Sequence, residues 1–265
     1  MDTPIFERDG DTFVATPLAR GPWDPAACHG GAPAALLAAT VDAMPSLVAM
    51  QAVRLTFELL RPVPVGAPLH LTSEIAREGK RVQTVEATLT DDDDRATMRV
   101  RALRIRTTEL ELPADRPVPT PSPTPGPDAL ERFDGLQDWD PEGFWQAVDV
   151  RFVAGHLGVP GHGIAWFRVL APIADGVELT PLARAAAAGD FGNGIGAPLP
   201  MGPFAYVNPD LTIALHRLPE GEWVAADAQS VAQDNGIGLA TTTLADQRGA
   251  IGTAMQSLFI ADTRD

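Results

Sequence analysis

Cysteine and lysine each occur once, at Cys28 and Lys80. A lone cysteine excludes an intrachain disulfide and fits a reducing compartment. The chain is also poor in positive charge: 20 Lys and Arg against 35 Asp and Glu give a formal charge of −15. That balance opposes nucleic-acid binding, which depends on neutralising phosphates, although a few arginines can still form a local site for a small anion. No apolar run approaches the roughly 20 residues of a membrane helix. The opening MDTPIFERDGD is acidic where an export signal is basic and then apolar. The expectation is a cytoplasmic protein with no nucleic-acid or membrane partner. No serine sits in a G-x-S-x-G elbow, so a serine α/β-hydrolase mechanism has no support. His156 and His162 in GHLGVPGHGIAW have no nearby cysteine and no H-E-x-x-H spacing, so they read as loop histidines and no metal is expected. What remains is 265 residues, 45% hydrophobic and 21% charged, enough for one large or two ordinary domains.

The chain writes one phrase twice. RLTFELLRP from Arg54 resembles DLTIALHRLP from Asp210, and a fixed offset places Leu55 on Leu211, Thr56 on Thr212, Leu59 on Leu215 and Arg61 on Arg217. Between the copies lies PADRPVPTPSPTPGP (113–127), whose prolines predict an extended strap. At about 3.1 Å per residue it would reach roughly 45 Å. It separates a first unit, 1–112, from a second, 128–265. In the first, Gly30 to Met44 reads as an Ala- and Leu-rich helix with Pro33 in its first turn. Strands are expected at 52–60, 68–77, 81–90 and 96–107, from alternation and β-branched content. The second unit repeats that order: a helix within 180–196, then strands at 212–216, 223–232, 238–244 and 252–261. A helix wrapped by a curved antiparallel sheet leaves unpaired strand edges. Two such units joined edge to edge satisfy those edges and create a cleft at the seam, a natural ligand site.

Several residues carry more than one reading. Asp190, after an Ala-rich run, is a candidate base or a turn aspartate bonding nearby amides. Asn208 precedes Pro209, a common turn pair, and alternation leaves the facing of Gln256 open. GDFGNGIG (189–196) follows a helical run with G-x-G-x-G spacing, which fails the dinucleotide fingerprint. Its small residues instead allow a helix and a substrate to approach closely. Arg99 and Arg101 share a strand face that suits either phosphate binding or pairing with Glu58 and Glu86.

Taken in order, HGGAPAALLA (29–38), VRLTFELLRP (53–62), AAAAGDFGNG (185–194), NPDLTIALHR (208–217) and GTAMQSLFI (252–260) resemble the double-hotdog acyl-CoA thioesterases of the thioesterase II type. The resemblance covers nearly the whole chain. It implies an α+β tandem hotdog, two helices each wrapped by a curved antiparallel sheet with the sheets joined edge to edge. It further implies hydrolysis of a fatty or related acyl-CoA to the acid and free coenzyme A, without a cofactor, by a homodimer. The catalytic positions it implies are Asp190 as base, with Asn208 and Gln256 orienting the water. Asn208 departs from the family's Ser or Thr, and Thr212, four residues on, offers a hydroxyl if the register shifts. Substrate contacts are expected from His29, Gly30 and Gly31 at the first helix start, from Gly192 and from Thr212. Two rivals remain. A non-catalytic acyl or acyl-CoA binding protein is kept open by Asn208. An enoyl-CoA hydratase of the GDxNPxH type is opposed by Ile195 where that motif has histidine.

Overall fold

In a computed structural model the chain is described over residues 1–135 and 143–264; the expected second unit also spans 136–142 and 265, which lie outside the described residues. The first half comprises β1 (Phe6–Asp9), β2 (Thr12–Ala15), α1 (Gly31–Ala43), β3 (Met50–Leu59), β4 (Pro68–Arg77), β5 (Val82–Thr90) and β6 (Ala96–Arg106). The second comprises β7 (Val148–Ala154), β8 (Gly163–Val169), α2 (Pro181–Gly189), α3 (Gly192–Ile195), β9 (Phe204–Val207), β10 (Asp210–Leu215), β11 (Val224–Ala232), β12 (Ile237–Asp246) and β13 (Gly249–Asp262).

α1 is Ala- and Leu-rich, with high helix propensity, and only Thr40, Asp42 and Ala43 escape burial. A helix apolar on all sides belongs inside a core. It stops at Met44 because Pro45 disfavours helical geometry in the residue before it. α2 starts on Thr180, whose hydroxyl accepts the Ala183 N–H at 3.2 Å, with Pro181 in its first turn. The single helical region expected over 180–196 is interrupted at Asp190 and Phe191. There Phe191 N–H reaches back three residues to Ala188 O, and Gly194 N–H to Phe191 O. This tight turn carries the Asp190 side chain out of the helix stack.

The strands form one antiparallel sheet in the order β1-β2-β4-β5-β6-β3-β10-β13-β12-β11-β8-β7, with β9 added beside β13. It wraps α1 and α2, which pack together, and one apolar core runs through both halves. The repeated phrase lies at the seam. β3 pairs antiparallel with β10, and Thr56 faces Thr212, its own counterpart in the repeat. A residue paired with its repeat equivalent marks an internal twofold axis. The repeated arginines serve corresponding turns. Arg61 donates to Ala96 O beyond the β5–β6 turn, and Arg217 donates to Asp246 and Gly249 O across the β12–β13 turn.

Residues 107–126 have no regular structure and run onto the second half. Ala250 N–H donates to Thr120 O, the Ser122 hydroxyl to Asp246 O, and Trp166 Nε1 to Pro125 O. Arg99 and Arg101 pair with Glu58 and Glu86 at 3.0 and 3.1 Å on the exposed sheet face, as their strand neighbours suggested. Exposed pairs of this kind stabilise weakly.

Candidate active site

A cavity of about 400 Å³ opens at the seam. Its wall combines the loop Gly21–Gly30, the end of β3 through Val63, Met98 of β6, Asp190, Asn193, and the β9–β10 link Val207–Pro209. Trp23, Leu60, Val207 and Phe259 are exposed apolar groups on that wall, whereas Met98 and Val63 are buried. The cavity is therefore largely apolar, and of the polar side chains on its wall His29 and Asn208 converge on one place, the pattern of a small-molecule site.

That place is Asp190. Its carboxylate is 4% exposed, Asn208 is 9% and Gln256 1%. Asn208 Nδ2 donates to Asp190 Oδ1 at 2.9 Å, and Gln256 Nε2 approaches the same oxygen at 3.4 Å while also donating to Asp190 O at 3.2 Å. Gln256 Oε1 accepts the Asn193 N–H at 3.1 Å, and Asn193 Nδ2 donates to Tyr206 O. Three residues distant in sequence thus meet at one carboxylate. They do so because the inward face of β13 lies beneath the α2–α3 turn, while Asn208 enters from the start of β10.

Both amide atoms of Gln256 are occupied, and its side chain does not line the cavity. These contacts brace the turn that carries Asp190. Asn208 does line the cavity, and its Nδ2 supplies the donor that a hydroxyl would supply.

Asp190 Oδ2 faces the start of α1. A methyl group built on Gly30 would lie 2.8 Å from Oδ2 and 3.1 Å from Oδ1, so only glycine lets the helix start come this close. The positive end of a 13-residue helix dipole favours negative charge there. No partner for the Gly30 N–H is found among the described residues. Gly31 N–H, by contrast, goes to His29 Nδ1 at 3.0 Å, and Gly31 packs against Ala187 and Phe144 away from the cavity wall. His29 Nδ1 is also 3.1 Å from Asp190 Oδ2. The ring is boxed by Phe191, Phe144 and Trp145, with centroids 4.5, 5.1 and 6.1 Å away.

Besides Gly31, two further expected substrate contacts fall elsewhere. Thr212 stands between Leu211 and Ile213, both fully buried, so pleating turns it to the outer face of the sheet, opposite to Gln256. The register keeps it at the twofold axis, so no shift brings its hydroxyl to the site. Gly192 is off the cavity wall: a side chain there would collide with Thr242 Oγ1 and approach Gln256 Oε1 to 3.0 Å. Its small size serves packing behind Asp190 rather than approach of a substrate.

The sequence reading did not assign Trp23, Leu59, Met98, Asn193 or Phe259 to the site. Their signal is weak because each reads as loop or core until the seam is closed. Cys28 also lines the cavity, but burial pushes its thiol well above the ordinary range, so it stays protonated and is a poor nucleophile.

The internal twofold relates this site to the opposite ends of the helices. There Asp42, in the last turn of α1, lies beside Thr180 at the start of α2, on a cavity of about 630 Å³. Counting from the Thr56–Thr212 axis, Ala52 stands where the second half has Asn208. The residue after Met255, the β13 partner of Thr212, is Gln256; the residue after Arg101, the β6 partner of Thr56, is Ala102. Of the two ends, the one at Asp190 holds its carboxylate between amides.

Comparison with known proteins identifies the family and the fold. The family model for the acyl-CoA thioesterase N-terminal domain matches residues 19–105, and that for the acyl-CoA thioesterase C-terminal domain matches residues 118–260. No curated protein matches in sequence. Among solved structures, a Novosphingobium aromaticivorans protein proposed to be a thioesterase is 24% identical, with a TM-score of 0.71 over 97% of this chain and 98% of its own. A hot dog fold protein of unknown function from Alicyclobacillus acidocaldarius is 17% identical, with a TM-score of 0.72 over 97% and 95% of the two chains. Acyl-CoA thioesterase II of Mycobacterium marinum is 16% identical, with a TM-score of 0.64 over 97% and 96%. At these identities the structural likenesses show the hotdog fold alone, whereas the family models show descent. The chain belongs to the acyl-CoA thioesterase family and is a thioester hydrolase of tandem hotdog architecture.

Proposed function

We propose that the chain hydrolyses acyl-CoA thioesters with a water activated by Asp190. The observation that carries this reading is the division of labour on one carboxylate. Oδ1 is held by the Asn208 and Gln256 amides, while Oδ2 faces the start of α1 on the cavity wall. An anchored carboxylate loses little freedom when a water and a thioester meet beside it, which is how positioning lowers a barrier.

The acyl group lies against the apolar wall and the thioester carbonyl lies at the start of α1. The Gly30 N–H and the helix dipole polarise the carbonyl and stabilise the oxyanion that forms there. The Asn208 side-chain oxygen accepts the second water hydrogen, and Asp190 takes the first as the water oxygen bonds to the carbonyl carbon. Collapse expels the thiolate. No covalent acyl-enzyme is needed, consistent with a cavity wall whose one thiol stays protonated.

Thiol release from acyl-CoAs of graded length, for wild type and Asp190→Asn, tests the reading. The substitution keeps the size and the amide contacts but removes the base, so kcat/KM falls by about 10²–10⁴-fold. Release that is unchanged in Asp190→Asn would remove Asp190 from the mechanism.

A further inference from the structure

The His29 Nδ1 atom is claimed by two partners, the Gly31 N–H at 3.0 Å and Asp190 Oδ2 at 3.1 Å. One ring nitrogen cannot satisfy both in one protonation state. A bare Nδ1 accepts from Gly31 but then turns its lone pair near a carboxylate oxygen. A protonated Nδ1 donates to Asp190 and gives up the Gly31 amide. The two states differ by one proton along the Nδ1–Oδ2 line, and the aromatic box of Phe191, Phe144 and Trp145 keeps the ring in place for both. His29 forms part of the cavity wall, and no hydrogen-bond partner of its Nε2 is found among the described residues.

We propose that His29 is a catalytic residue that carries the proton from Asp190 to the departing sulfur, a role that rests on Asp190 being the base. The water oxygen bonds to the carbonyl carbon and its proton goes to Asp190. As the intermediate collapses, the carbonyl reforms, the C–S bond breaks and its electron pair stays on sulfur. The proton then passes from Asp190 Oδ2 to His29 Nδ1, and the hydrogen on Nε2 goes to the thiolate. The products are the free acid and the thiol, with Asp190 again a carboxylate and His29 neutral, its tautomer reset by exchange with solvent. This hand-off solves a problem that a lone carboxylate base leaves open: the accepted proton must leave Oδ2 before the next turnover.

The test compares two leaving groups on the same acyl chain: coenzyme A, an alkyl thiol, and thiophenol, whose thiolate departs without help. His29→Asn keeps an acceptor for Gly31 N–H but cannot relay a proton. It is expected to lower kcat/KM for the coenzyme A ester by about 10²–10⁴-fold while changing the thiophenyl ester by about threefold or less. Asp190→Asn lowers both. Equal losses on both esters in folded His29→Asn reduce His29 to a positioning residue, and no loss on the coenzyme A ester removes it altogether; either result overturns the relay. Full activity of Asp190→Asn on both esters would instead sink the base assignment. Should His29→Asn fail to fold, as judged by its melting transition, His29→Gln carries the same comparison with the same criteria.

Discussion

At the scale of single residues, the site depends on what is small as much as on what is charged. Gly30 has ordinary helical backbone angles, so its glycine is not required by conformation. It is required by the closeness of Asp190 and of Leu59 Cδ2, 3.1 Å from where a methyl would stand. Gly30→Ala therefore displaces the carboxylate while leaving the helix intact. The expected result is a loss of about 10²-fold in kcat/KM, the scale for misplacing a reacting group by about an ångström. The melting temperature should stay within a few degrees of wild type, measured on the same preparation. A collapse of the fold, or no loss of turnover, would contradict the packing account. Asp190, Asn208 and Gln256 entered the sequence reading through family resemblance, since each is also an ordinary turn or strand residue. Thr212 was misplaced for a plain reason: it belongs to the right strand, but alternation puts its hydroxyl on the other face.

At the scale of elements, the strands with sustained alternation, β3–β6 and β10–β13, lie within about two residues of their expected limits at most ends. The short strands β1, β2 and β9, and the pair β7–β8, were not anticipated. Four-residue segments carry too little periodicity. β8, GIAWFRV, is buried nearly throughout and lacks the alternation of a half-exposed strand; neighbouring strands rather than its own pattern make it a strand. The helix ends hold a second lesson. Burial pushes the Asp42 carboxyl above its ordinary range and Glu178 adds to that, against the opposing pull of Thr180 and Arg104. A raised pKa in the folded state means that unfolding releases a proton once the pH exceeds the ordinary carboxylate value, so stability is lost as pH rises towards the folded value. Asp42→Asn removes that penalty. It should melt higher than wild type at about pH 7, with the gain vanishing near about pH 3, where both states hold the proton. A gain of equal size at both pH values would trace the effect to packing instead.

At the scale of the whole molecule, duplication explains both the sheet and the asymmetry. Pairing β3 with β10 removes two edges and sets Thr56 against Thr212, and the same twofold places a carboxylate at each helix-end junction. The junction at Asp190 is furnished with amides, while the other has Ala52 and Ala102 at the corresponding positions. The repeat was legible because β3 and β10 share residues that face one core in one way. The difference between the two ends was not legible, since it appears only when strand register matches Gln256 to Ala102.

The central claim, that Asp190 directs a water onto the thioester rather than attacking it, is tested most directly by oxygen labelling. A single turnover with enzyme in excess is run in ¹⁸O water, followed by mass spectrometry of both the acid and the peptide containing Asp190. Direct water attack predicts one ¹⁸O in the free acid and none in Asp190. Label in the Asp190 carboxylate, with unlabelled acid, would show an acyl-aspartyl intermediate and contradict the account.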